Sequence, residues 1–195
     1  MLLEKYINVF PQIINHQQIS CIIKCANHIS FNDAQVGQAE SGGGIVNKKV
    51  RDVRNYSLTP IDKSLTVAFW AQYLNTLIVE NMNNYLKNHR MDQTYGSIPY
   101  LNQLDILKYE EKNHYKYHID DGRYLERTLS AILFLNNDYE GGTLHFSDTN
   151  LEGNDEICIK GTPGSLVVWP SNMLFPHAVA PVTKGTRYTI VAWAK

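Results

Sequence analysis

Residues 161–195 read GTPGSLVVWPSNMLFPHAVAPVTKGTRYTIVAWAK, and this stretch decides the fold class. Two runs within it, SLVVWP (165–170) and RYTIVAWA (187–194), are rich in the β-branched and aromatic residues that favour strands. The pair Pro163 and Gly164 precedes the first run and is a turn signal, because both residues interrupt regular structure. The stretch therefore predicts short strands joined by tight turns.

The same pattern extends towards the N-terminus as far as residue 96. Further β-prone runs are LDILKY (104–109), YKYH (115–118), LSAILFLN (129–136), TLHF (143–146) and EICI (156–159). Turn signals at residues 121–122 (DG) and 141–142 (GG) separate some of these runs. About seven short strands at this spacing are typical of a sandwich or a jelly-roll barrel. We therefore predict a mainly β fold with N-terminal helices.

The N-terminal half carries the helical patterns. One amphipathic helix is predicted from Asn15 to about His28. A second is predicted to begin with Thr59 as its N-cap and Pro60 at its first position, and to run to roughly Asn88. The residues of the second helix predicted to face the core are Leu65, Phe69, Leu74, Leu77, Ile78, Met82 and Leu86. Between the helices, residues 36–56 combine three consecutive glycines with four basic residues and predict a mobile loop. Because helices come first and strands follow, a doubly wound parallel sheet is not expected.

Length and composition bound the class of protein. The chain has 195 residues, 44% hydrophobic and 19% charged, which predicts a single folded domain over 1–195, with helices in 1–95 supporting a β core in 96–195. Eighteen Lys and Arg residues against nineteen Asp and Glu residues give no electrostatic basis for a nucleic-acid or membrane partner. The N-terminus lacks a basic start followed by a long apolar run, so we expect a cytoplasmic protein.

The three cysteines do not follow a disulfide or zinc pattern. Cys21, Cys25 and Cys158 are odd in number and lack the paired spacing of a thiolate metal cage. Cys21 and Cys25 stand four residues apart on one face of the first predicted helix. We interpret all three as buried core thiols.

Three residues are candidates for a metal site. In the triplet His118-Ile119-Asp120, the outer two side chains point to the same face if the preceding strand continues this far. His177, near the start of a later strand, would complete a set of two histidines and one carboxylate that holds divalent iron and leaves three positions open. The alternative is a solvated strand end for the triplet, with His177 in a turn after Pro176.

Arg187 lies on the next strand after His177 and is a candidate for anion binding. Its forked guanidinium suits a carboxylate, such as the distal end of a keto-diacid whose other end chelates a metal. An inward-facing arginine on an apolar strand needs a buried anionic partner. An exposed position at a sheet edge is the alternative.

In this order, the HID triplet, His177 and Arg187 resemble the 2-oxoglutarate and Fe(II)-dependent oxygenases, and more narrowly their prolyl 4-hydroxylase-like branch. Residues 128–146, TLSAILFLNNDYEGGTLHF, are similar to the strand and Gly-Gly turn of that branch. Residues 161–195 are similar to its closing segment. The resemblance covers about 104–195 closely and 36–56 loosely, and it implies a double-stranded β-helix, the cupin-like jelly roll.

The resemblance also implies roles for individual residues. His118, Asp120 and His177 are expected to form the catalytic metal site and bind Fe(II), and Arg187 the distal carboxylate of the co-substrate 2-oxoglutarate. Dioxygen is the second co-substrate, and ascorbate is an accessory reductant of the branch. The other residues that match family positions are Tyr109 beside 2-oxoglutarate, and Arg127 and Trp193 beside the substrate proline. The alternatives are a core tyrosine, a salt-bridged strand start and a packed indole.

The function implied by the resemblance is hydroxylation of prolyl residues in a proline-containing peptide or protein, with release of succinate and CO2. The loop at 36–56 resembles the segment that folds over bound peptide. Collagen-type members usually carry Lys at the position of Arg187, which leaves the identity of the peptide open. Two other functions stay open: hydroxylation of a free amino acid or other small molecule, and a non-catalytic binding module.

Overall fold

The computed structural model describes residues 3–37, 44–122, 125–147 and 156–195. Its helices are α1 (His16–Ala26) and α2 (Leu65–Asn88), and one turn of 3-10 helix covers Leu3–Tyr6. Its strands are β1 (Asn8–Phe10), β2 (Asn32–Asp33), β3 (Val36–Gly37), β4 (Gly44–Ile45), β5 (Arg51–Asp52), β6 (Arg54–Ser57), β7 (Leu101–Tyr109), β8 (His114–His118), β9 (Leu129–Phe134), β10 (Glu140–Gly141), β11 (Leu144–Phe146), β12 (Ile157–Ile159), β13 (Leu166–Pro170), β14 (His177–Val179), β15 (Val182–Lys184) and β16 (Arg187–Ala194).

Two antiparallel sheets carry most of these strands. The major sheet has seven strands in the order β1-β13-β9-β16-β7-β6-β2, and the minor sheet has five in the order β12-β11-β14-β8-β5. Two ribbons of two strands, β10 with β15 and β3 with β4, complete the pairing. This arrangement confirms the predicted mainly β, jelly-roll core. The runs predicted as strands at 104–109, 115–118 and 187–194 lie in the two sheets, and the run at 129–136 does so as far as Phe134.

The major sheet is buried on both faces, which explains its nearly continuous apolar strands. Along β7, Leu104 and Ile106 pack into a core shared with α1 and α2. Leu107 and Tyr109, which point the other way, pack into a second core shared with the minor sheet. The molecule therefore has three layers: helices, major sheet and minor sheet. The second core, between the sheets, surrounds the candidate site.

Helix α1 confirms the prediction for residues 15–28. Asn15 caps it, and Asn15 and Gln18 exchange side-chain to backbone hydrogen bonds of 2.9 Å in a capping box. The cysteine interpretation is wrong for two of the three residues, because Cys21 and Cys158 are exposed and Cys25 is half-buried. Ile19, Ile22 and Ala26 form the buried face of α1 instead.

Helix α2 begins at Leu65 and not at Pro60 as predicted. Ser64 is its cap, and its hydroxyl accepts from the Val67 amide at 3.4 Å. Residues 59–62 form a separate turn, in which the Asp62 amide donates to the Thr59 carbonyl at 3.1 Å. Leu65 and Phe69 are 85% and 59% exposed against expectation, because Val67 and Ala71 lie on the buried face of the first turns instead. The buried residues of α2 are Val67, Ala71, Leu74, Ile78, Met82, Tyr85 and Leu86.

The mobile loop predicted at 36–56 is wrong for most of its length. Strand β6 pairs with β7 and extends the major sheet, and β5 pairs with β8 and extends the minor sheet. Strands this short show no apolar periodicity, and only their long-range partners specify them. Residues 38–43, which include two of the three consecutive glycines, lie outside the described residues. Within the described ranges, no helix has both the length and the apolar character needed to cross a bilayer.

The packing between the sheets predicts a destabilising substitution at Gly161. A Cβ atom at this position would lie 1.8 Å from Cδ1 of the fully buried Phe134. We expect Gly161→Ala to lower the free energy of unfolding by about 1–3 kcal/mol through overpacking. At this chain length, thermal denaturation should show a decrease in Tm of roughly 2–10 °C.

Gly122→Ala is the matched control, because a Cβ atom there would meet nothing within 4 Å. Its Tm should stay within about 2 °C of the wild-type value. Equal Tm values for the two variants would contradict the packing described for Phe134.

Candidate metal centre

The three predicted metal-binding side chains converge at one end of the space between the sheets. His118 is the last residue of β8, and His177 is the first residue of β14. These strands are neighbours in the minor sheet, and the two histidines are direct partners across the antiparallel pair. Asp120 follows two residues after His118 and is 5% exposed. The structure thus brings together residues that are far apart in sequence.

The distances suit a single bound ion. The Asp120 carboxylate lies 3.6 Å from Nε2 of His118 through Oδ1 and 3.3 Å from Nε2 of His177 through Oδ2. The ligand atoms of all three residues lie within 4.8 Å of one another. Two imidazoles and one carboxylate that meet on one side of a site are the donor set of non-haem Fe(II) oxygenases. The residues present therefore fit a divalent iron.

Hydrogen bonds at Nδ1 fix the ring orientation of both histidines. Nδ1 of His118 lies 2.8 Å from the Lys116 carbonyl, and Nδ1 of His177 lies 3.1 Å from the Phe175 carbonyl. Because a carbonyl can only accept, each Nδ1 carries the proton and donates. In a neutral imidazole, Nε2 is then the unprotonated nitrogen, and it faces Asp120 as a metal ligand would.

The pKa shifts of Asp120 and His118 favour the charge states that bind a metal cation. Burial alone would raise the pKa of Asp120, but His177 and His118 outweigh it and hold that pKa well below its usual range. Burial, reinforced by His177, lowers the pKa of His118. Neutral imidazoles and an ionised carboxylate are the forms that bind a metal.

Two serines that the sequence analysis did not identify orient the carboxylate. The Ser130 hydroxyl donates to Oδ2 of Asp120 at 2.7 Å and lies 2.7 Å from the Ser171 hydroxyl. Both serines are buried. Ser130 interrupts the apolar run of β9, which is the one sequence signal that could have indicated a polar partner for Asp120.

Arg187 and Tyr109 form a buried cation–aromatic pair between the two sheets. They are direct partners across β16 and β7, and the guanidinium carbon lies 4.9 Å from the centroid of the tyrosine ring. Arg187 is fully buried, and among the described residues its Nε and Nη2 have no hydrogen-bond partner. Its Nη1 makes a long contact of 3.4 Å with the Thr189 hydroxyl. A buried cation of this kind needs an anion, so the structure supports the inward-facing interpretation.

Tyr109 connects this cation with the metal-binding set. Tyr109 lines the same cavity as His118, Asp120 and His177, and Arg187 lies behind it and does not itself line the cavity. Burial raises the pKa of Tyr109, although the Arg187 charge opposes the shift. The hydroxyl therefore stays protonated and can donate to an anion.

The Gly-Gly turn noted in the sequence packs directly against Arg187. Gly142 has a φ angle of +61°, and a Cβ atom there would lie 2.9 Å from Cδ of Arg187. Glycine is required on both counts, since a side chain would be strained and would displace the arginine. The turn therefore helps to position the guanidinium.

Arg127 and Trp193 lie together beside Asp120. The Arg127 guanidinium carbon stands 3.9 Å from the Trp193 ring centroid, a close cation–π contact. Its Nη1 donates to the Asp120 carbonyl at 3.3 Å, and its Nη2 donates to the Gln103 side chain at 2.9 Å. Gln103 is held in turn by the buried Asp105 at 2.7 Å. The indole is packed, as the structural alternative predicts, and it also lines the cavity.

Tyr115 and Arg51 also border the site; no sequence pattern indicates Tyr115 there, and Arg51 falls within the loop predicted at 36–56. The Tyr115 ring stacks on His118 with 3.5 Å between centroids, and Arg51 lies over Tyr115 at 4.8 Å. Arg51 donates from Nη1 to the Gln35 carbonyl at 2.8 Å and lines the cavity. Only the pairing of β5 with β8 brings Arg51 here, and no local pattern reveals that pairing.

Comparison with known proteins agrees with this site. Residues 104–195 match the family model of the 2OG-Fe(II) oxygenase superfamily. A PKHD-type hydroxylase of Gloeothece citriformis is 31% identical over 153 residues, which make up 69% of this chain and 66% of that relative. The chain thus spans about two thirds of that relative's length. On these matches the chain belongs to the 2OG-Fe(II) oxygenase superfamily, as the resemblance predicted.

Solved structures show the same fold. A prolyl-4-hydroxylase of Pseudomonas putida superposes with a TM-score of 0.68 at 20% identity and covers 97% of this chain and 92% of its own. A prolyl hydroxylase of Trichoplax adhaerens, in complex with a peptide fragment of the hypoxia inducible factor oxygen degradation domain, superposes with a TM-score of 0.74 at 16% identity. That match covers 97% of this chain and 83% of the neighbour. The prolyl 4-hydroxylase-like fold is therefore confirmed.

The geometry predicts that a divalent metal stabilises the protein through Asp120. Mn2+, a redox-stable substitute for Fe(II), should raise Tm, since an ion at 100 times its Kd adds about 2.7 kcal/mol to the free energy of unfolding. The expected increase is roughly 5–10 °C in differential scanning fluorimetry. Asp120→Ala should abolish most of this increase.

Asp121→Asn is the matched control, because Asp121 is the adjacent acid but lies outside the metal-binding set. Asp121→Asn should keep the increase in Tm. An equal increase in Asp120→Ala would show that Mn2+ binds elsewhere.

Proposed function

We propose that this chain is an Fe(II)- and 2-oxoglutarate-dependent dioxygenase that hydroxylates prolyl residues in a peptide or protein and releases succinate and CO2. The observation that carries the proposal is the combination of a convergent His118, Asp120 and His177 set with the fully buried, unsatisfied Arg187 in the same inter-sheet space. Membership of the 2OG-Fe(II) oxygenase superfamily supports it. Neither the metal-binding set alone nor the buried arginine alone would support this proposal.

His118, Asp120 and His177 would hold the iron in this proposal. When bound, Fe(II) supplies dioxygen activation coupled to oxidative decarboxylation of 2-oxoglutarate, and so delivers one oxygen atom to a substrate C–H bond. The protein positions these ligands. Backbone carbonyls that accept from Nδ1 orient both histidines, and the Ser130 hydroxyl orients the Asp120 carboxylate. The apolar walls between the sheets exclude water from the reacting groups.

Arg187 and Tyr109 would bind 2-oxoglutarate. The guanidinium offers Nε and Nη2 to the distal carboxylate, and both are buried without a partner among the described residues. The protonated Tyr109 hydroxyl can donate to the same carboxylate. An anion paired with this buried cation offsets the desolvation penalty of burying the charge.

Arg127 and Trp193 would border the substrate. Arg127 is held on three sides by Trp193, Gln103 and the Asp120 carbonyl, so its guanidinium is rigid and lies next to the metal-binding set. The peptide in the Trichoplax adhaerens neighbour supports a peptide substrate by analogy of fold. The lid role suggested for residues 36–56 stays a prediction, because 38–43 lie outside the described residues.

A second candidate function, hydroxylation of a free amino acid or another small carboxylate, is favoured by one observation. Arg51 lines the cavity with a buried Nε that lacks a partner among the described residues. Arg51 and Arg127 thus offer two cations near Asp120, which would suit a substrate that carries its own carboxylate.

A binding module without catalysis is less well supported, because the metal-binding set and Arg187 are both intact. The roles of ascorbate, a cytoplasmic location and the extent of one domain over 1–195 stay predictions.

The proposal predicts substrate-dependent succinate formation. Purified protein with Fe(II), 2-oxoglutarate and air should release succinate faster when proline-containing peptides are added, and mass spectrometry should find a peptide heavier by one oxygen atom. His118→Ala should lose this turnover, because it removes one metal ligand. His114→Ala, at the half-buried start of the same strand and outside the metal-binding set, is the matched control and should keep it.

Each outcome separates the candidate functions. Stimulation by free amino acids but not by peptides would favour the small-molecule hydroxylase. Iron binding without any turnover would favour the binding module, and full activity of His118→Ala would contradict the metal assignment.

Substitution of Arg187 should weaken binding of 2-oxoglutarate without weakening binding of the metal. Replacing it by Gln removes the charge-assisted hydrogen bonds, worth about 1.5–3 kcal/mol, so KM for 2-oxoglutarate should rise roughly 10- to 100-fold. The increase in Tm with Mn2+ should be retained, since Arg187 does not contact the metal-binding set. An unchanged KM would exclude Arg187 from the co-substrate site.

A further inference from the structure

A second cluster of metal-binding side chains lies on the minor sheet, apart from the proposed iron site. It consists of His145 on β11, Cys158 on β12, and Glu156 just before β12. His145 and Cys158 are direct partners across the two strands, and Glu156 lies two residues from Cys158 on the same face. The ligand atoms of the three residues all lie within 4.8 Å of one another.

The cluster occupies the outer face of the sheet. Leu144 and Phe146, the neighbours of His145 on β11, are buried in the core between the sheets. His145 therefore points away from that core, since successive side chains alternate along a strand. His177, on the neighbouring β14, is buried on the inner side. The two clusters thus face opposite sides of one sheet and cannot share an ion.

The distances are close to those of a bound ion. Nδ1 of His145 lies 3.0 Å from Oε2 of Glu156 and 3.3 Å from Sγ of Cys158. A tetrahedral zinc with bonds of about 2.0–2.3 Å separates its donor atoms by roughly 3.3–3.8 Å. Shifts of a few tenths of an ångström would admit the ion. A single hydrogen on Nδ1 bonds well to only one of these two neighbours, whereas a cation between the three atoms contacts all of them.

The carboxylate of the cluster is prepared as a ligand. The Tyr117 hydroxyl donates to the Glu156 carboxylate and so orients it. A surface cleft of about 720 Å³ borders His145, Glu156 and Tyr117. A fourth coordination position would therefore be open to water from this cleft.

We propose that His145, Glu156 and Cys158 bind a divalent transition-metal ion of borderline softness, most naturally Zn2+. Imidazole, carboxylate and thiolate together suit zinc, whereas Mg2+ and Ca2+ prefer oxygen ligands alone. The site goes beyond the proposed oxygenase function and takes no part in it. Because β12 is the edge strand of the minor sheet, the ion would join it to β11 through side chains as well as backbone.

Cobalt spectroscopy tests the proposal, because of the two metal-binding clusters found in the described part of the chain this one alone includes a thiolate. Co2+ should bind the full-length Asp120→Ala variant, in which the proposed iron site is disabled, with a near-ultraviolet thiolate-to-cobalt absorption that saturates at one equivalent. Adding Cys158→Ser should abolish the absorption. Adding Cys21→Ser, which replaces the other exposed thiol, should leave it unchanged and is the matched control.

The same comparison can be made with otherwise wild-type protein should Asp120→Ala fail to fold. There, Cys158→Ser should remove the absorption and leave succinate formation unchanged, which separates this site from the oxygenase site. His145→Ala should weaken Co2+ binding at the cluster at least 10-fold, on the order expected for a lost ligand. Absence of the absorption from wild-type protein, or its survival in Cys158→Ser, would overturn the proposal.

Discussion

The antiparallel pairing of β8 with β14 is the constraint on which the candidate site depends. It sets His118 opposite His177, so that the two imidazoles come from different parts of the chain yet stand side by side, with ring centroids 4.2 Å apart. Asp120 reaches both because the chain leaves β8 directly after His118. A shift of one residue in this register would turn one histidine to the opposite face of the sheet.

The major sheet supplies the other half of the site and the rigidity that it requires. Strand β16 lies between β9 and β7 at the centre of that sheet and carries both Arg187 and Trp193. The helices cover the opposite face, so the sheet is fixed from behind by an apolar core. Burial of a guanidinium and of a carboxylate is unfavourable, and both groups keep their positions because the surrounding packing holds them. Such preorganisation lets ligands bind without further rearrangement of the walls.

The chemistry-bearing residues were predictable from the sequence because their types are unusual for their places. A histidine and an acid two apart, a later histidine, and an arginine within an apolar strand each suggested polar groups directed inward. The start of α2 was not predictable from the Thr59-Pro60 signal, because Asp62 accepts hydrogen bonds from Tyr56 and Ser64 and holds a separate turn there. Strands β5 and β6, and with them the position of Arg51, depend on pairing with distant strands. The exposure of Cys158 follows from the edge position of β12, which local sequence does not specify.

The central claim is that one space between the two sheets binds a metal and a keto-diacid together. The most direct measurement is an anaerobic titration of 2-oxoglutarate into Fe(II)-loaded protein, followed by visible absorption, because a 2-keto acid that chelates Fe(II) produces a metal-to-ligand charge-transfer band. We expect a saturable band that is absent without iron and when succinate replaces 2-oxoglutarate. Absence of the band in protein that retains Fe(II) would contradict the claim.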